Sequence, residues 1–128
     1  MSAPAVAERI ARMERTGVIR GYRAELDRSL LGFSLVAYVS VVAENALKVP
    51  EEVLGALAAL PEVEEATIVA GSMDLILRLR VRDHEHLRSC LFEHIGQLPG
   101  VKRTETFLWL RSTKPKPVDL DLIRTLRG

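Results

Sequence analysis

The sequence predicts an α+β fold: one domain of order βαββαβ, a four-stranded antiparallel sheet with two helices on one face, preceded by a helix and a linker strand. Three observations predict it. At 128 residues the chain is long enough for one ordinary domain and too short for two. Strand-like apolar stretches alternate with segments whose apolar residues recur at helical spacing. Leu60-Pro61-Glu62-Val63 ends one such helix and starts a strand, and Leu98-Pro99-Gly100-Val101 does the same for the other, so the chain reads as two strand-helix-strand halves. That is the ferredoxin-like arrangement.

The chain opens on MSAPAVAERIARMERTGVI, a basic amphipathic helix running into a turn at Thr16-Gly17. Ile10 and Met13 mark its inner stripe, with Val6 alongside, which leaves Ser2, Ala3, Ala5, Arg9 and Arg12 outward. Small and polar residues in a first turn, followed by arginines, suit a helix that meets duplex DNA; packing on its own domain or on a partner accounts for the same pattern. Residues 18–23 read as a strand and 27–32 as a turn, so that 18–33 connect the helix to the main domain, 34–112. Residues 34–44, rich in Val, Ala and Tyr without strict alternation, read as a strand covered on both faces.

Pro50 with Glu51 and Glu52 suits the first turn of a helix, where a missing N–H costs little and negative charge favours the dipole. Val53, Leu54, Leu57 and Leu60 form its stripe up to Pro61. Strands at 63–70 and 75–81, joined by GSMD, predict an antiparallel hairpin. Asp83 is a good N-cap for the next helix, with Leu87, Leu91, Ile95 and Leu98 as its stripe, and a last strand covers 101–111. Lys114-Pro115-Lys116-Pro117 interrupts regular structure, and the tail, 113–128, reads as a short docked helix or as disorder. Apolar residues on both parities of the first main strand (Leu35, Ala37, Val39, Val41 against Val36, Tyr38, Val42) would leave a bare apolar sheet face. A second subunit, sheet against sheet in a two-fold homodimer, is the expected cover.

Composition narrows the function classes. With 48% hydrophobic and 27% charged residues the chain belongs with folded globular proteins. No apolar run approaches the ~18 residues of a spanning helix, and the N-terminus shows no signal-peptide block, so a cytoplasmic protein without a membrane partner is expected. The single cysteine, Cys90, reads as a buried thiol. The net charge of +1 hides an asymmetry: residues 1–28 hold six arginines against four acids, 29–101 five basic against ten acidic side chains, and 102–128 seven against three. Basic ends around an acidic middle are compatible with a nucleic-acid contact and with ordinary solvated surface alike.

An enzyme's inventory does not assemble. His84, His86 and His94 share one helix without a third ligand, so no metal site is expected, and neither phosphate loop, Ser elbow nor paired-Cys motif calls for a cofactor. Glu62, Glu64 and Glu65 read as a solvated acidic turn. The hairpin VAGSMDLIL says more. Gly71 can take φ > 0 and admit a ligand to the backbone, and Asp74 can accept hydrogen bonds from an amine or from loop N–H groups; a tight turn steadied by Asp74 explains the same residues.

In series, AVAERIARMERTGVIRGYRAELD, LPEVEEATIVAGSMDLILRLRVRD and LPGVKRTETFLWLR resemble the Lrp/AsnC family of bacterial and archaeal feast/famine regulators. The resemblance implies that residues 1–17 match a helix-turn-helix recognition helix, with Ser2, Ala3, Ala5, Arg9 and Arg12 on its DNA side. It implies an effector domain that dimerises through its sheet and assembles further, up to an octamer. An amino acid or similar small molecule would bind between dimers at Gly71, Ser72, Met73 and Asp74, with Thr104 and Thr106 approaching from a neighbouring subunit. Relatives often carry an aromatic residue beside the Asp, where Met73 and Leu75 stand here. Relatives also have about two helices before the recognition helix, whereas Met1 falls where it begins; the sequence either starts late or is that of a reduced member. The expected function is an Lrp/AsnC-type transcriptional regulator, binding DNA if the missing helices are supplied. The alternatives are a stand-alone effector-binding oligomer without DNA binding and a small dimeric ferredoxin-like enzyme.

Overall fold

Four strands pair into one antiparallel sheet: β1 (Leu35–Ala43), β2 (Val63–Ile68), β3 (Leu75–Val81) and β4 (Val101–Leu108), in the order β2-β3-β1-β4. The computed structural model describes residues 2–44, 49–113 and 118–126. Helices α1 (Ala3–Arg15), α2 (Glu51–Ala58), α3 (His84–Ser89) and α4 (Val118–Thr125) complete the order. The central strands are the most apolar, and they form the core. Ala37, Val39 and Val41 of β1 pair with Leu79, Leu77 and Leu75 of β3. All six are buried, together with Leu57 of α2 and with Leu87, Cys90 and Ile95 of the α3 region.

The α3 segment is longer than its regular part. Asp83 caps it, its carboxylate accepting the His86 N–H at 2.8 Å. After Ser89 the chain widens into a π-turn over Cys90–His94 and then tightens into a 3₁₀ turn over Ile95–Gln97. The wider turn brings Cys90 and Ile95, five positions apart, into the same core, where both are buried. Gly96 permits the tightening, because a Cβ there would lie 2.9 Å from the Leu91 carbonyl oxygen.

Several boundaries differ from the sequence expectation, for physical reasons. Residues 18–23 form no strand: an extended segment becomes one only when a neighbour takes its N–H and C=O groups, and Val18 and Tyr22 remain exposed. The 27–32 turn does form, closed by Asp27 Oδ1 accepting from Ser29 N–H and by Gly32 at φ 93. Pro50 stands at the N-cap of α2 rather than inside its first turn. β2 stops at Ile68, because Val69 N–H bonds back to the Asp74 carbonyl and closes the loop. β4 stops at Leu108, since β1 begins at Leu35 and offers only the Val36 carbonyl to Trp109 N–H. The tail is helical over Val118–Thr125 and buries none of its residues. Lys114 to Pro117 lie outside the described residues.

The sheet face opposite the helices is less apolar than expected. Tyr38, Ile76, Phe107 and Trp109 share it with Arg78, Arg80 and Glu105, because two of the three outward residues of β3 are arginines.

Candidate functional site

At one end of the sheet, β1 finishes while β3 and β4 begin, and Val41 pairs with Leu75 on one side and Thr104 on the other. The loop from Val69 to Asp74 sits there. Asp74 clips it to β1 twice: its N–H donates to the Val41 carbonyl at 2.9 Å, and its Oδ2 accepts the Ala43 N–H at 2.8 Å. Ala43 N–H lies on the β3 side of β1, beyond the last β1–β3 pair of Val41 and Leu75, and the Asp74 carboxylate takes this N–H in place of a ladder partner. Asp74 is accordingly buried, whereas Gly71 and Ser72 are exposed and Met73 is half-buried.

The candidate loop residues and Thr104 are therefore brought to one sheet end, but Asp74 points into its own chain rather than outward. Gly71 does not use φ > 0, and a Cβ there would meet nothing within 4 Å, so its expected conformational role is absent. Thr104 and Thr106 are exposed on the helix-bearing face beside Val41 and Val39. Thr104 stands two strands from Leu75, about 10 Å away.

Next to this loop lies a cavity of about 490 Å³ under the start of α2. Val41, Val53, Ala56, Leu75, Leu98 and Val101 form much of its wall, and the charged residues among those described as lining it are Glu44 and Glu52. The sequence offers no signal for it, because its walls are ordinary members of strand and helix stripes.

A second cluster lies on the far side of the sheet. Glu64 accepts from Arg78 Nε at 2.7 Å, pairs with Arg28 at 3.2 Å and also receives Arg80, whose other nitrogen donates to the Phe33 carbonyl. Arg78 reaches on to the Tyr38 hydroxyl. Burial pushes the Glu64 carboxyl up, but the Arg80 and Arg78 hydrogen bonds outweigh it and hold the carboxyl below its ordinary range. His86 Nδ1 accepts the Arg82 N–H, so Nε2 carries the proton that it shares with Glu62 at 3.1 Å. That hydrogen bond, opposed by burial, lowers the Glu62 carboxyl. Glu62 and Glu64 are thus no solvated turn; their side chains are 19% and 18% exposed.

Cys90 is a buried free thiol, pushed up to about 11 by burial. Among the described residues no group of three or more His, Cys, Asp or Glu is placed to hold a metal ion, and no helix is long and apolar enough to cross a membrane. At the N-terminus, Ser2 caps α1 by accepting the Ala5 N–H at 3.3 Å, while Ala3, Ala5, Arg9 and Arg12 are exposed.

Fold and site together define a ferredoxin-like α+β domain with a clipped loop and an apolar cavity at one sheet end. Residues 36–119 match the Lrp/AsnC ligand binding domain. The chain belongs to the Lrp/AsnC family. It is 37% identical over 106 residues to a helix-turn-helix-type transcriptional regulator of Mycobacterium tuberculosis, covering 83% of this chain and 70% of that one. It is 37% identical over 108 residues to the leucine-responsive regulatory protein of Haemophilus influenzae, covering 84% of this chain and 65% of the relative. Among solved structures, the feast or famine regulatory protein of M. tuberculosis complexed with L-methionine superposes with a TM-score of 0.76 at 28% identity, over 91% of this chain and 78% of that one. These relatives are named as regulators, and the matched family model is a ligand-binding domain, so the family is not one of enzymes.

Proposed function

We propose that this chain is the effector-sensing part of an Lrp/AsnC-type transcriptional regulator that responds, as an oligomer, to an amino acid or related small molecule. The observation that carries the reading is the double clip of Asp74, which fixes the base of the loop to β1 and leaves Gly71 and Ser72 at the surface for a ligand. Gly71, Ser72 and Met73 are then the effector contacts, Asp74 positions them, and Thr104 and Thr106 are supplied by a neighbouring copy. Support for the ligand class comes from relatives named leucine-responsive or complexed with L-methionine. Ser2, Ala3, Ala5, Arg9 and Arg12 are the DNA side of α1.

A thermal-shift screen of the standard amino acids, with sedimentation in parallel, tests this reading. At least one amino acid raises the midpoint, and does so less in Met73→Ala. If none does, and Asp74→Ala leaves assembly unchanged, the reading fails. One observation favours a second reading, an effector-binding oligomer without DNA binding: α1 buries no residue, and helices of about 12–15 residues are marginal alone in water. A gel-shift titration over a salt series separates the two. Affinity that falls steeply with salt supports phosphate contacts by α1, and none detectable supports the second reading.

A further inference from the structure

We infer that the cavity between the 27–32 turn and the far end of the hairpin is a binding site for a small carboxylate with an aliphatic body. It lies at the sheet end opposite residues 69–74, where β2 begins and β3 finishes, and its volume of about 460 Å³ falls in the range of small-molecule sites. Its lining comes from three stretches, 26–33, 61–64 and 80–86, each described without a break. Arg28, Arg80 and Arg82 all face it, and the two carboxylates on the same wall are already engaged. Glu64 is shared by Arg28, Arg78 and Arg80, and Glu62 takes the proton of His86 Nε2. The acids next in sequence to these arginines, Asp27 and Asp83, accept the backbone N–H groups of Ser29 and His86. Guanidinium donors are therefore left over. Arg28 pairs through one nitrogen and its side chain is 55% exposed, while the exposed Arg82 guanidinium has no partner among the described residues. A carboxylate is the small acceptor whose two oxygens match that planar fork of donors.

The aliphatic body follows from the opposite wall. Leu26, Leu31 and Phe33 form it, and Leu26 and Leu31 are 63% and 61% exposed, apolar surface that an entering body covers. Both walls are held in place before any ligand arrives. Asp27 and Gly32 close the turn that carries Arg28 and Leu31, and Arg80 donates to the Phe33 carbonyl at 3.1 Å, so little ordering remains to oppose binding. The inference does not rest on the sensing reading, whose ligand lies at the other sheet end.

The test is calorimetric titration of the full chain with isocaproate, isoamylamine and acetate. Isocaproate binds, while isoamylamine, with the same branched body and the opposite charge, and acetate, with the head and almost no body, are each weaker by about tenfold or more. Combining Arg28→Gln with Arg82→Gln weakens isocaproate about fivefold or more, the scale of two exposed ion pairs, and flattens its salt dependence while the circular dichroism is retained. In the unaltered chain, nuclear Overhauser contacts from the isocaproate methyls fall on Leu26, Leu31 and Phe33, which keeps the test independent of whether the double variant folds. The absence of isocaproate binding overturns the inference, and so does isoamylamine or acetate binding as tightly as isocaproate. Unchanged affinity in the folded double variant, or methyl contacts that fall on Met73 or Val53 instead, overturns it as well.

Discussion

Asp74 joins two strands and a loop through three hydrogen bonds: its carbonyl to Val69 N–H, its N–H to Val41 and its carboxylate to Ala43 N–H. Asp74→Ala removes a charge-assisted acceptor and leaves the Ala43 N–H without its partner. The expected loss is about 1.5–3 kcal/mol, read as a lower urea midpoint at unchanged m, with Asp74→Asn losing less. That Asp74 accepts from backbone N–H groups is legible in GSMD; that the donor belongs to a strand end 31 positions away is not, because it depends on β1 running past the start of β3. The glycines make the same point in reverse. Gly71→Ala changes stability by less than about 0.5 kcal/mol, since its φ is not positive and the added Cβ meets nothing within 4 Å. Gly96→Ala costs about 1–3 kcal/mol, because its Cβ would sit 2.9 Å from the Leu91 carbonyl oxygen. Turn chemistry draws the eye to Gly71, whereas only the three-dimensional path of the π-turn singles out Gly96.

At the scale of elements, the hairpin, both packed helices and the order of the sheet are legible because each is set by local apolar period and punctuation. The π-turn is not, since Leu87, Leu91, Ile95 and Leu98 satisfy an α-helical stripe equally well. The linker strand fails for a different reason: its pattern is right, but strand structure belongs to pairs. The acidic residues Glu62 and Glu64 are hidden too, because their partners come from the 27–32 turn, β3 and α3. Both carboxyls are lowered from an ordinary value of 4.5, so the stability they contribute is fully present above that value and is lost as pH falls through their lowered folded-state values. Acid unfolding followed by fluorescence of Trp109 therefore shows a steeper decline below about pH 4.5 in the unaltered chain than in Glu64→Gln, whose deficit at neutral pH disappears in acid. Amide exchange gives the complementary reading at the other elements. β1 and β3 exchange slowest, and α1 and α4, which bury no residue, exchange within the fraying regime.

The helices packed on the core, α2 and the α3 segment, cover one face of the sheet, and the other face is the candidate for assembly. Tyr38, Ile76, Phe107 and Trp109 lie there across β1, β3 and β4, with Phe107 48% and Trp109 39% exposed. The arginines among them are held in place: Arg78 and Arg80 share the single Glu64 carboxylate with Arg28, which orients them and leaves the cluster net positive. An aromatic surface with oriented arginines has the residue types enriched at interfaces, and a two-fold copy of the same face is the simplest complement. Phe107→Glu tests it. The side chain lies on the edge strand opposite Tyr38 and outside the buried core, so the change leaves the fold's circular dichroism intact. Facing its own copy, it places an unpaired carboxylate in a desolvated patch, a cost of several kcal/mol that an ordinary interface of about 800 Å² per partner does not absorb. Sedimentation equilibrium then reports single-chain mass for Phe107→Glu and at least twice that for the unaltered chain. An unchanged oligomer in Phe107→Glu would place the contact on another surface, with the exposed apolar residues of α1 and α4 next to be substituted.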